Sequence, residues 1–114
     1  MFEKLPVWGQ FDVAVLGGGP AGFSAAIGSS ESGSKTLLIE KNGFLGRMAT
    51  AALVMPWNVW AKPVTTNDIG GAYEKLVRCL EKENSTYCFS KRSVLQSFDP
   101  STLKIMMDKL LLSS

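Results

Sequence analysis

Phe11-Asp12-Val13-Ala14-Val15-Leu16-Gly17-Gly18-Gly19-Pro20-Ala21-Gly22 takes the chain from a continuous apolar run straight into a cluster of glycines. The run Val13-Ala14-Val15-Leu16 has the pattern of a strand buried on both faces of a parallel sheet. Small residues dominate positions 20–32, with Ala21, Ala25 and Gly28 on one helical stripe and Gly22, Ala26 and Ser29 on its neighbour. A helix of such residues lies close against a sheet, and Gly33 is placed to stop it in a left-handed turn. Thr36-Leu37-Leu38-Ile39 reads as a second buried strand, spaced for a right-handed crossover that leaves the two strands parallel. Residues 11–40 thus form one strand-helix-strand unit, and the fold class is α/β.

The glycines satisfy GxGxxG, a weak signal alone that gains weight from following a strand, opening a helix and preceding a second strand that ends in an acid, Glu40. Gly17 permits the tight turn, Gly19 lets backbone approach a pyrophosphate without a Cβ in the way, and Gly22 lets helix and strand pack closely. The helix start offers unpaired N–H groups and a partial positive charge, a preference of about 0.3–1 kcal/mol per exposed charge. Glu40 accepts hydrogen bonds from ribose hydroxyls and repels a 2′-phosphate, which disfavours NADP; the fingerprint fits FAD and NAD alike. Gly28 and Gly33 have P-loop spacing, but Ser34 stands where the lysine belongs and the segment precedes a strand, so an NTPase reading is rejected.

Positions 43–67 are apolar yet rich in Gly, Pro, Trp and Asn, with no sustained period; Phe44, Trp57 and Trp60 are core residues or pocket walls, with core the default. A helix is expected over about 69–83, with Ala72, Tyr73, Leu76, Val77 and Leu80 on one stripe and Asp68 as its N-cap. Asn84-Ser85-Thr86 reads as a polar turn. Asp99-Pro100 gives a cap and a first-position proline for a helix over about 100–112 that buries Leu103, Met106, Met107 and Leu110.

At 114 residues and 46% hydrophobic content, one compact domain fits and a second does not. The formal charge of +2 is scattered, so no nucleic-acid partner is implied. The start Met1-Phe2-Glu3-Lys4-Leu5-Pro6 lacks the pattern of a secretory signal, and no apolar run nears the roughly 20 residues that span a bilayer. The expectation is a cytoplasmic protein without membrane contact. With no histidine, and with Cys79 and Cys88 outside any CxxC spacing, neither a metal site nor a redox dithiol has its usual ligands.

The opening stretch, then Leu37-Leu38-Ile39-Glu40-Lys41 and Gly43-Phe44-Leu45-Gly46-Arg47-Met48-Ala49-Thr50, resembles the start of the FAD-dependent oxidoreductase family of the glutathione-reductase-like superfold, with a more distant likeness to fumarate reductase flavoproteins. Ile69-Gly70-Gly71 and Phe98-Asp99-Pro100, each before a helix, extend the likeness through most of the chain. The resemblance implies a Rossmann-like FAD/NAD(P)-binding fold with an incomplete parallel sheet and flanking helices. It makes residues 1–114 the amino-terminal part of an FAD-binding domain, with 43–68 as a flavin-side loop region and the substrate domain absent. It implies FAD as cofactor and places Gly17, Gly18, Gly19, Pro20, Ala21, Gly22, Glu40, Lys41, Gly46, Arg47 and Thr50 against it, with Pro20 common in the flavin versions. The family usually has a second glycine where this chain has Arg47; close backbone approach is lost there, or a guanidinium takes over by pairing with a phosphate.

No catalytic residue is identified, because the return segment and substrate domain that supply one lie outside this chain. The small-molecule substrate is likewise open. Two other readings stand beside the flavoenzyme portion: a non-catalytic nucleotide-binding or interaction protein, associating through an unpaired sheet edge, and, ranked last, an FAD-dependent tRNA-modifying protein, expected to be more basic.

Overall fold

The computed structural model describes residues 4–58, 70–88 and 95–114. Strand β1 (Val13–Leu16) and strand β2 (Thr36–Ile39) pair in parallel, with Val13 opposite Thr36 and Leu16 opposite Ile39. The crossover between them is helix α1 (Pro20–Glu31), which begins with proline at its first turn, where the missing N–H costs nothing. Its end is closed by two bonds: the Gly33 N–H donates to the Ser30 carbonyl at 2.8 Å and the Ser34 N–H to the Ser29 carbonyl at 3.2 Å. That pair is the Schellman pattern, and Gly33 takes the φ of +87° that it requires.

The two small-residue stripes of α1 have different fates. Ala26 is buried and Ser29 meets the sheet through a 2.8 Å bond from the Thr36 hydroxyl, whereas Ala21, Ala25 and Gly28 face solvent. Gly22 shows why the helix can lie so close: a Cβ there would collide with the Gly17 carbonyl oxygen.

Burial on both faces was expected of β1 and β2, and the structure supplies it on one. Val13, Val15 and Leu38 are half-buried towards α1, while Ala14, Leu16 and Ile39 point the other way and are exposed, Leu16 at 80%. The reason is that the helices gather on a single side. Phe23 and Ile27 of α1, Leu76 and Leu80 of helix α2 (Gly71–Lys82), and Leu103, Met106 and Met107 of helix α3 (Pro100–Ser113) share one core with Leu45, Ala49 and Phe98. No described element covers the far face.

The stripe expected on α2 is the buried one, with Leu76, Val77 and Leu80 inside and Ala72 and Tyr73 at its margin. Lys75 pairs with Glu31 of α1, and Arg78 with Glu74 one turn earlier. Its cap differs from the expectation: Gly70 occupies the N-cap without a side-chain bond, and Asp68 and Ile69 lie outside the described residues. In α3 the expected cap forms, the Asp99 carboxylate accepting the Thr102 N–H at 2.7 Å and its hydroxyl at 2.8 Å.

A second sheet has no counterpart in the sequence reading. Strands β3 (Trp57–Asn58), β4 (Thr86–Cys88) and β5 (Leu95–Phe98) run antiparallel in the order β3-β5-β4. These strands are too short for alternation to show, and Thr86, read as part of a turn, opens β4. Trp57 reaches the core from this sheet, stacking on Phe98 at 4.3 Å between ring centroids and meeting Tyr73 edge-on at 5.3 Å. Trp60 lies outside the described residues. Phe44 is half-buried, with the Lys104 ammonium 4.0 Å from its ring centroid.

Candidate nucleotide-binding site

The loop between β1 and α1 and the loop after β2 meet at the carboxyl ends of the two strands, where ligands of open α/β sheets bind. The Gly17 N–H donates to the Ile39 carbonyl at 2.8 Å, extending the ladder by one rung before the chain turns at Gly17 with φ of +100°. The Gly18 N–H then donates to Oε2 of Glu40 at 2.6 Å, and the Asn42 N–H to Oε1 at 2.9 Å. The Gly18 carbonyl accepts the Gly46 N–H at 2.8 Å, tying the second loop to the first.

Four of the corner's glycines have a definable reason. Gly17 needs its left-handed backbone; a Cβ at Gly18 would collide with Leu45 and stand 3.2 Å from the Glu40 Cβ; Gly22 has no room beneath the Gly17 carbonyl. A Cβ at Gly46 would come within 2.6 Å of Thr50. Gly19 is the exception. Its φ of −69° and ψ of −179° suit any residue, and a Cβ there would touch Arg47 at an ordinary 3.7 Å. No clash with a described residue and no backbone angle asks for glycine at this position, the N-cap at the head of α1, beside the first-turn N–H groups of Ala21 and Gly22 that no helical carbonyl reaches.

Glu40 is only 6% exposed through its side chain and yet ionised. The Asn42 N–H, then the Gly18 N–H, with help from the Arg47 guanidinium, outweigh the cost of burial and hold its carboxyl at about 2, below the ordinary 4.5. Arg47 reaches it at longer range, Nε to Oε2 at 3.4 Å and Nη2 to Oε1 at 3.5 Å. Its own backbone sits at φ of +34°, in the region that favours glycine.

The structure therefore brings Gly17, Gly18, Gly19, Pro20, Ala21, Gly22, Glu40, Gly46 and Arg47 to one corner, with Lys41 exposed beside Glu40. Thr50 stands beneath the corner. It is buried, and its hydroxyl donates to the Leu45 carbonyl at 2.6 Å, supporting the turn that carries Gly46 and Arg47. Two contributors escaped the sequence reading: Leu45, which fills the space under Gly18, and Asn42, which acts through a backbone N–H that no side-chain signal can announce. Among the described residues there is no group of three or more His, Cys, Asp or Glu able to hold a metal ion, and no helix long and apolar enough to cross a membrane.

A model of the FAD dependent oxidoreductase family matches residues 12–114. The chain belongs to that family. Relatives include dihydrolipoyl dehydrogenase of Trypanosoma brucei brucei, 47% identical over 47 residues that make up 40% of this chain and 10% of that protein. The cytochrome-type fumarate reductase of Shewanella frigidimarina is 54% identical over 41 residues, 36% of this chain and 7% of that protein. Digeranylgeranylglycerophospholipid reductase of Methanocaldococcus jannaschii is 44% identical over 46 residues, 40% of this chain and 12% of that protein. No solved structure matches. The α/β architecture with its small parallel sheet is consistent with an FAD-binding portion of this oxidoreductase family. The relatives share short stretches and differ in the substrates that their names specify, so the likeness selects no substrate for this member.

Proposed function

We propose that this chain binds the adenosine diphosphate part of FAD within a flavin-dependent oxidoreductase. The observation that carries the reading is Gly19: neither a clash nor a backbone angle requires a glycine there, and a diphosphate lying against the head of α1 does. Ala21 and Gly22 would offer N–H groups to the diphosphate, and Glu40, already fixed by two backbone donors, would accept from the ribose hydroxyls. Gly46 and Arg47 border the same corner. FAD, when bound, supplies the electron-accepting ring system; the residues described here bind and orient its nucleotide end, and none serves as an acid or base. The substrate domain would belong to sequence outside these 114 residues, and the site of action would be the cytoplasm.

The test is a titration of the chain with FAD and ADP, beside a Gly19→Val variant. Saturable binding by the wild type, lost in a variant that keeps the wild-type melting temperature, is the expected result. Equal binding by both proteins would sink the reading.

A second reading, a non-catalytic interaction protein, is favoured by the exposed Leu16 and Ile39 on the open face of the parallel pair. Concentration-dependent self-association in sedimentation, without nucleotide binding, would support it instead.

A further inference from the structure

Arg47 stands at a position whose backbone favours glycine, with φ of +34°. Its stem runs over Gly19, Cβ and Cγ lying 3.7 and 4.0 Å from where a Cβ of residue 19 would be. The guanidinium thus spans the two halves of the corner, arching over the open glycine and ending on the carboxylate of Glu40. The hold on Glu40 is loose. Its two contacts, at 3.4 and 3.5 Å, are longer than the ~2.7–2.9 Å of a strong charge-assisted bond, and the Arg47 side chain is 44% exposed. Glu40 does not depend on it, because the Gly18 and Asn42 N–H groups bind the same two oxygens at 2.6 and 2.9 Å. A planar guanidinium that can leave one anion cheaply, and that lies beside N–H groups suited to another, is fitted for bidentate pairing with a diphosphate.

We propose that Arg47 is a diphosphate clamp held in reserve on Glu40: as the nucleotide docks, the guanidinium moves from the carboxylate to the diphosphate, and the ribose hydroxyls take its place on Glu40. This deepens the nucleotide-binding reading and rests on it. Arg47 then acts twice. It shields Glu40 while the corner is empty of nucleotide, and it makes binding depend on the diphosphate and not on the nucleoside alone.

The experiment compares ADP with adenosine by calorimetric titration of the wild-type chain, Arg47→Met and Arg47→Lys, each checked for fold by circular dichroism. Arg47→Met should weaken ADP about tenfold while adenosine binds as before or tighter, so that the preference for ADP collapses; Arg47→Lys should keep part of it. An unchanged ADP-to-adenosine ratio in Arg47→Met overturns the clamp. So does a wild type that binds neither ligand while Arg47→Met binds both, since Arg47 would then be a plug; the nucleotide-binding reading survives the first result and fails for the wild-type chain with the second. Absence of ADP binding by folded wild type and folded Arg47→Met alike defeats that reading and the clamp together.

Discussion

The Gly18 N–H lies 2.6 Å from Oε2 of Glu40, a residue 22 positions further along the chain. This bond joins the turn that opens α1 to the end of β2, so the glycine loop and the acid are positioned by each other and not only by the sheet. Gly18 is buried, and the carboxylate it meets is closed on its other oxygen by Asn42.

Acid should expose this dependence. A carboxyl group whose value falls from the ordinary 4.5 to about 2 on folding contributes stability in full above its unfolded value and loses it as pH falls through its folded one. Glu40 therefore stabilises the wild type at neutral pH, and that share fades between pH 4.5 and about 2. Glu40→Gln, neutral throughout, should melt below the wild type at neutral pH, and the gap should narrow across this window. A pH series of thermal melts measures it; a constant gap would contradict the assignment.

Gly22 and Gly19 should behave as opposites. Gly22→Ala drives a methyl group into the Gly17 carbonyl, and overpacking against backbone should cost about 3 kcal/mol or more in urea unfolding. Gly19→Ala meets only an ordinary contact with Arg47 and, allowing for the weaker N-cap, should cost no more than about 1 kcal/mol. Similar costs at both positions would refute the distinction between a glycine the fold needs and one it does not.

The turn that carries Gly46 and Arg47 leans on Thr50. Thr50→Val keeps the shape and removes the hydroxyl, leaving the Leu45 carbonyl without this donor in a buried site. A loss of about 1–3 kcal/mol in denaturant unfolding is expected. Thr50→Ser, which restores the hydroxyl, should recover the larger part.

At the start of α3, Asp99→Ala removes the acceptor for the Thr102 N–H and hydroxyl. Loss of an N-cap of this kind should cost about 1 kcal/mol and lower the melting temperature by roughly 4 °C. Asp99→Asn, able to accept the same bonds, should lose much less.

The sequence made the glycine corner legible where local chemistry and distant pairing agree. Val13-Ala14-Val15-Leu16, the glycines, the small-residue stripe through Gly22 and Ala26, and Glu40 are all read from spacing, and the stop at Gly33 follows from a backbone angle that glycine alone adopts freely. Asp99-Pro100 announced α3 for the same reason. What escaped depends on partners far along the chain. β3 is two residues long and is a strand only because β5 lies beside it, and β4 follows a positive-φ Asn84 that reads as a turn. The exposed face of Leu16 and Ile39 was equally illegible, since an apolar run looks the same whether one face or two are covered. Thr50 illustrates a subtler limit: its place near the glycines was readable, but not that its hydroxyl faces inward to Leu45.

The one-sided packing of the parallel pair has a consequence for how the corner is assembled. Among the described residues, the hydrogen bonds that fix Gly18, Glu40 and Arg47 come from a single crossover and the loop after it, made at the strand ends and on the α1 side. The bare face of β1 and β2 takes no part. Strands could join either margin, or a layer could settle over Leu16 and Ile39, without moving a donor or acceptor of the corner. The glycine corner is in that sense prefabricated, and the surrounding architecture can be enlarged around it as a wall is built outward from a finished cornerstone.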